Sequence, residues 1–192
     1  MIYDISADLL SAPVYEDDPA PELEHLKSMK TGDPYNLTRL IISSHAGTHI
    51  DSPLHFLERG ADISRLPLEL FIGDCRVAAV YEPLLTGADI DALPLDGVER
   101  LIIKGFGKAA LTRSAAFAIA GTDIKLVGID AQTIGAAGEE AEVHRELLGA
   151  GICVLEGVNL SGVQSGDYFL FCPPVKVVGA EGAPCRAILL KD

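Results

Sequence analysis

The sequence predicts a single mixed α/β domain, and three observations carry that reading. Many short apolar, β-branched runs recur along the chain. Two other stretches, Leu111 to Ala120 and Glu139 to Ala150, have helical character instead. The 192 residues, 48% of them hydrophobic, are enough to bury one core and too apolar for a disordered chain. Short strands with a few helices belong to a layered α/β architecture. The domain is expected to span residues 1–192, with no repeat, linker or low-complexity stretch.

In chain order, Ile2 to Ile5 is β-like, and the Pro-, Asp- and Glu-rich remainder up to residue 38 is expected as loops and short elements. Leu37 to Ser44 is apolar and β-branched, a strand leading into a histidine-rich segment. Cys75 to Tyr81 and Arg100 to Lys104 read as further strands. Leu111 to Ala120 is alanine-rich and helical, with Thr112 or a nearby residue able to cap it. Lys125 to Ile129 is a strand with Asp130 at its C-terminal end. Glu139 to Ala150 has helical spacing and exits through Gly149-Ala150-Gly151. Ile152 to Leu155, Tyr168 to Cys172, Lys176 to Val178 and Ala187 to Leu190 complete the expected strands.

Composition narrows the function. The net charge of −13 argues against nucleic acid and anionic membranes, which select clusters of Lys and Arg. No apolar run approaches the length of a membrane span, and no basic region followed by an apolar stretch opens the chain, so a cytoplasmic protein is expected. Cys75, Cys153, Cys172 and Cys185 are widely spaced without a Cys-x-x-Cys pair, and read as buried, reduced thiols.

The chemistry gathers in His45-Ala46-Gly47-Thr48-His49-Ile50-Asp51-Ser52-Pro53-Leu54-His55, which holds three of the five histidines. Imidazole and carboxylate are the donors a catalytic divalent metal uses. Gly47 and Pro53 disfavour a helix here. An extended strand would hold His45 and His49 about 13 Å apart, too far for one ion. The chain must therefore turn, and Gly47 gives it the freedom to do so. His45, His49 and Asp51 form a two-imidazole, one-carboxylate set that leaves a position open, as catalytic sites do. No glutamate lies between His45 and His49, so this is not the His-Glu-x-x-His arrangement of zinc proteases. Proton transfer must come from elsewhere, and His55 beyond Pro53 is the candidate; its other reading is a fourth ligand. Thr48 and Ser52 read as hydrogen-bonders that orient the ligands. His144 on the second helix and Glu156 after a strand are weak signals by themselves. Gly105-Phe106-Gly107-Lys108-Ala109-Ala110 imitates a dinucleotide fingerprint, with Asp130 further on, but too little parallel α/β sequence follows to complete that fold.

The eleven-residue segment also resembles the cyclase-like metal-dependent hydrolases. It fits their pattern His-x-Gly-Thr-His-x-Asp-x-Pro-x-His at every fixed position. The resemblance continues through Leu126-Val127-Gly128-Ile129-Asp130, His144, Leu155-Glu156-Gly157 and Ser165-Gly166-Asp167-Tyr168, covering most of the chain in the family's order. That family includes bacterial kynurenine formamidases (arylformamidases) and isatin hydrolases. The resemblance implies a swivelling β/β/α layered fold, a homodimer or higher homo-oligomer, and a small-molecule amide substrate cleaved at its C–N bond by metal-activated water. It implies that His144 and Glu156 join His45, His49 and Asp51, that Asp51 and Glu156 can bridge two ions, and that His55 is the acid/base. One or two divalent ions are implied, zinc as in formamidases or manganese as in isatin hydrolases. Hydrolysis of a cyclic amide, or metal binding without turnover, are the alternative readings. Tyr15 stands where formamidases carry an aromatic, usually Trp, near the substrate ring. They continue with Pro-Gly-Asp where this chain has Glu16-Asp17-Asp18, and this chain has no tryptophan. The Gly105–Asp123 stretch is also shorter than theirs. Both departures fall on substrate-facing regions.

Overall fold

The computed structural model describes residues 1–191. Four parallel strands form its centre: β5 (Ile72–Ala79), β7 (Arg100–Lys104), β9 (Leu126–Ile129) and β10 (Cys153–Glu156), side by side in that order. Antiparallel strands extend both sides. Beyond β5 lie β11 (Gly166–Phe171), β13 (Ile188–Leu190) and β1 (Ile2–Asp4); beyond β10 lie β4 (His49–Asp51) and β12 (Gly182–Pro184). Of these, β7, β9 and β10 are buried on both faces and accordingly read as nearly continuous apolar runs.

Two cores result. On one face Leu101, Ile103, Val127, Ile129 and Val154 pack against α1 (Gly87–Asp91), α2 (Arg113–Ala120) and α3 (Glu140–Gly149). On the other, Ile102, Leu126 and Leu155 share a core with Leu170 of β11 and Leu189 of β13. In a flat sheet β13 would lie about 24 Å from β10, five strand spacings away. A shared core therefore requires the sheet to curl, giving two β layers and one helical layer. The layered α/β fold that the resemblance implied is borne out.

Most expected elements stand within a residue or two of their positions. Thr112 caps α2 by accepting from the Ala115 N–H, so the helix begins at Arg113 rather than Leu111. Leu111 instead belongs to β8 (Ala110–Leu111), paired with β6 (Leu84–Leu85). Lys176 to Val178 is not a strand: Pro173-Pro174 and Gly179 interrupt the run, and no neighbour pairs with it. The N-terminal region holds an unforeseen strand, β2 (Glu22–Lys27), whose alternating charges hide its pairing with β3 (Leu37–Ile41). All four cysteines are free, three buried and Cys185 half-buried. Among the described residues no helix is long and apolar enough to cross a membrane.

Candidate metal centre

After β3 the chain turns through Ser44–Thr48, where Gly47 takes φ +63°. The turn sets the His45 and His49 ring centroids 5.0 Å apart, as the histidine spacing required. Gly157 makes a matching left-handed turn (φ +67°) at the end of β10. A Cβ added there would stand 2.5 Å from the Gly47 carbonyl oxygen. Gly157→Ala should therefore destabilise the protein by more than about 1 kcal/mol, through strain and displacement of the neighbouring turn. Urea unfolding of the variant checks this, and unchanged stability would mean the turns are not coupled. Thr48 and Ser52 tie backbones rather than touch imidazoles. Thr48 Oγ1 donates to Gly157 O at 2.6 Å and accepts from Ala7 N at 2.8 Å, while Ser52 Oγ donates to Glu181 O at 2.8 Å.

Strand register assembles the donors. In the antiparallel β4–β10 pair, His49 lies opposite Glu156 and Asp51 opposite Val154. Directly opposed residues share a face, so His49, Asp51 and Glu156 all point to the helical side. Ile50 and Leu155, one residue out of phase, enter the other core. α3 packs on β10 and supplies His144 from above. Its Nε2 lies 3.2 Å from Glu156 Oε1 and 3.5 Å from Asp51 Oδ2. His49 Nε2 is 3.4 Å from both Asp51 Oδ1 and Glu156 Oε2, and His45 Nδ1 is 2.9 Å from Asp51 Oδ1. Glu156 Oε1 also accepts from the Ile134 N–H at 2.7 Å. The sequence-predicted residues His45, His49, Asp51, His144 and Glu156 thus converge from segments a hundred residues apart. His55 joins them from a short 3-10 turn, its ring centroid 4.2 Å from that of His45.

This donor set fits a divalent cation. Three of its buried atoms, His49 Nε2 and both Asp51 carboxylate oxygens, have no hydrogen-bond partner among the described residues. Leaving such atoms unsatisfied is costly, and a cation would satisfy all three. Two groups have donor atoms within 4.8 Å of one another: His45, Asp51 and His55, and His49, Asp51 and Glu156. Asp51 belongs to both and is fully buried. The back nitrogens of two rings are already committed: His49 Nδ1–H donates to Gly47 O at 3.0 Å, and His144 Nδ1–H to Glu140 O at 2.6 Å. Each Nε2 lone pair is then free when the ring is neutral, the arrangement that outer hydrogen bonds enforce on ligand histidines.

Without a cation these rings hold protons. Burial opposes the charge, but the carboxylates of Glu156 and Asp51 outweigh it, and His49 is pushed up to about 9. The same opposition, with Asp51 and Glu156 prevailing, takes His144 to about 10. Burial would raise Asp51, yet contacts with His144 and His45 hold it well below the usual carboxylate range. Burial pushes His55 down. A cation must displace the ring protons, so zinc affinity should rise with pH, by about tenfold per unit for each proton displaced. Chelator-buffered titrations between about pH 6 and 8 measure this, and a flat profile would remove His49 and His144 from the ligand set.

The cluster opens on a cleft of about 930 Å³ lined by Tyr15, Asp17, Asp18, Lys104 and Phe106 among others. Phe106 was missed as a cleft residue. Gly105-Phe106-Gly107-Lys108 forms a tight turn with φ +55° at Phe106 and +71° at Gly107, closed by Lys108 N–H to Gly105 O at 3.1 Å. Asp130 accepts from the N–H groups of Gly105 and Phe106 at 2.7 and 3.0 Å. Those amides are thus engaged by the chain itself rather than facing a phosphate. Phe106 stacks on Tyr81 with centroids 5.5 Å apart. Glu181 was also missed. It touches His45 Nε2 at 3.2 Å, and no sequence spacing announces it, because only the β12–β4 pairing brings it there.

Residues 3–136 match the family described as "Putative cyclase". The chain belongs to the cyclase family. Among its relatives, a protein named kynurenine formamidase from Maricaulis maris is 32% identical over 202 residues, covering 98% of this chain and 97% of that one. The structure titled "predicted metal-dependent hydrolase" from Bacillus stearothermophilus superposes with a TM-score of 0.85 at 32% identity, covering 98% and 97% of the two chains. Isatin hydrolase A from Labrenzia aggregata shares the cyclase fold at 20% identity, with a TM-score of 0.83 over 100% of this chain and 94% of that one.

Proposed function

We propose that this member of the cyclase family is a metal-dependent hydrolase of non-peptide C–N bonds, acting on an aryl formamide. The observation that carries the reading is the buried cluster around Asp51, with its unpartnered donor atoms, at the floor of an aromatic-lined cleft. The full-length similarity to a kynurenine formamidase supports the substrate class. In this reading residues 1–192 work as one catalytic domain. His45, His49, Asp51, His144 and Glu156 would hold one or two divalent ions, zinc or manganese, and the resemblance lets Asp51 and Glu156 serve both. The shared position of Asp51 in the two donor groups supports this for Asp51. Once bound, the metal supplies Lewis acidity, polarising the carbonyl and lowering the pKa of water.

The chain's own residues do the rest. His55 stands half-buried in the cleft, between the His45 ring and Phe56, whose ring centroid is 4.3 Å away. There a ring nitrogen can take a proton from water and return it to the departing amide nitrogen. Asp51 and Glu156 fix the imidazoles, and Phe56 walls the site by stacking on His144 with centroids 4.6 Å apart. Tyr15 and Phe106 offer faces to the substrate ring. Asp8, Asp17, Asp18 and Glu140 line the cleft and outnumber its lysine, Lys104, so an amide without net negative charge is favoured.

The β2–β3 pair supports a homodimer or higher homo-oligomer. Its Leu23, Leu40 and Ile41 side chains are exposed, and a two-stranded ribbon alone is marginally stable. Leu40→Glu should shift the sedimentation coefficient towards a monomer; an unchanged coefficient would place the interface elsewhere. The four free thiols fit a reducing cytoplasm.

Formanilide, N-formylanthranilate and isatin, assayed with one metal-loaded sample, test the substrate reading. Formanilide should turn over fastest, ahead of its anionic analogue. Preference for isatin would make this a cyclic-amide hydrolase. No turnover of any of the three, with metal bound, would leave a binding protein, although such a protein would have no need of His55.

A further inference from the structure

We propose that Glu181 is a positioning residue for the metal centre, fixing the tautomer and orientation of His45 so that Nδ1 is its donor atom. The proposal rests on the ligand reading above and goes beyond it. His49 and His144 each commit Nδ1–H to a backbone carbonyl and keep Nε2 for the site. His45 is turned the other way round. Its Nδ1 lies 2.9 Å from Asp51 Oδ1, and its Nε2 lies 3.2 Å from Glu181 Oε1. Both neighbours are carboxylates and can only accept, so a cation that takes up the Asp51 carboxylate would leave Glu181 as the acceptor for the ring proton. The neutral ring then carries it on Nε2 and presents a bare Nδ1 to the site.

Glu181 is itself firmly held. Ser44 Oγ donates to the same Oε1. Its backbone oxygen accepts from both Ser52 N and Ser52 Oγ, each at 2.8 Å. The next residue, Gly182, pairs with Asp51 in the β12–β4 register, and a Cβ there would stand 2.9 Å from His45 Cε1. The ring is therefore held at Glu181 and against the Gly182 backbone, with Nδ1 facing Asp51. His45 commits its outer nitrogen to a side-chain carboxylate, whereas His49 and His144 commit theirs to backbone carbonyls.

The test uses the full chain with zinc alone as probe. Glu181→Ala should weaken zinc binding by about 10- to 100-fold, the usual effect of removing an outer partner of a ligand histidine. Glu181→Gln keeps an acceptor oxygen and should recover most of that loss. The metal-free unfolding midpoint should move little in either variant, because the Glu181 side chain is 39% exposed. Ring-nitrogen NMR shifts of zinc-loaded wild type should show His45 protonated at Nε2 and metal-bound at Nδ1. Unchanged zinc affinity in Glu181→Ala, or metal on Nε2 of His45, overturns the proposal while leaving the ligand set standing. A loss that tracks falling metal-free stability, with Gln no better than Ala, would reduce Glu181 to a structural contact. A wild type that binds no zinc or manganese would instead overturn the metal centre itself.

Discussion

His55→Ala should keep its metal and its fold and lose about 10²- to 10⁴-fold in turnover, the usual worth of a positioned general acid–base. The competing role makes specific demands. His55 shares a 4.8 Å donor set with His45 and Asp51, so as a ligand its loss would lower metal affinity, and added metal would restore part of the rate. Measuring metal content beside turnover, at saturating metal, separates the two. His55→Gln sharpens the comparison, because an amide can hold a hydrogen bond but cannot carry a proton at neutral pH. Near-normal turnover in both variants would end the assignment, whatever the metal content.

Asp51→Asn should remove metal and activity together. Among the described residues, Asp51 is the one common to both donor sets, and both of its oxygens lack hydrogen-bond partners. An amide offers one weaker, neutral donor oxygen where the carboxylate offers two charged ones. Elemental analysis of the purified variant is expected to show negligible metal, against one or two ions per chain in wild type. His49→Ala, which leaves Asp51 in place, should strip at least one ion. If Asp51→Asn retains the wild-type metal content, the centre is elsewhere.

Much of this site was legible before any coordinates, because its chemistry is local. His45, His49, Asp51 and His55 fall in one short segment, and Gly47 shows where that segment must turn. His144 and Glu156 were different. Nothing in their own spacing pairs them with a segment a hundred residues earlier, and only the family resemblance named them. Glu181 escaped both routes, since it arrives through the register of an edge strand three residues long. Phe106 was read within a glycine motif whose sequence permits two different turns. Asp130 decides between them by accepting the loop's N–H groups. The fold was legible where strands are buried on both faces and apolar throughout, as in β7 and β9. It was hidden in β2, where pairing with β3 overrides a charged sequence, and at Lys176–Val178, where apolar side chains find no partner strand.

The β4–β10 pairing also bears on how such a protein could acquire new substrates. His49, Asp51 and Glu156 are held by backbone hydrogen bonds within one strand pair, and in the proposed ligand set the long excursion between those strands contributes only His144. The Gly105–Ala109 turn, on that excursion, shapes the cleft without belonging to the donor set. Insertions, deletions or a changed aromatic there can alter which amide fits while the reactive machinery stays in register. A slip of one residue in β4 would turn His49 and Asp51 towards the opposite core and abolish the site at once. The protein therefore has one region where change can be gradual and another where it is all or nothing. Directed evolution of specificity should begin with the turn and leave the strands untouched.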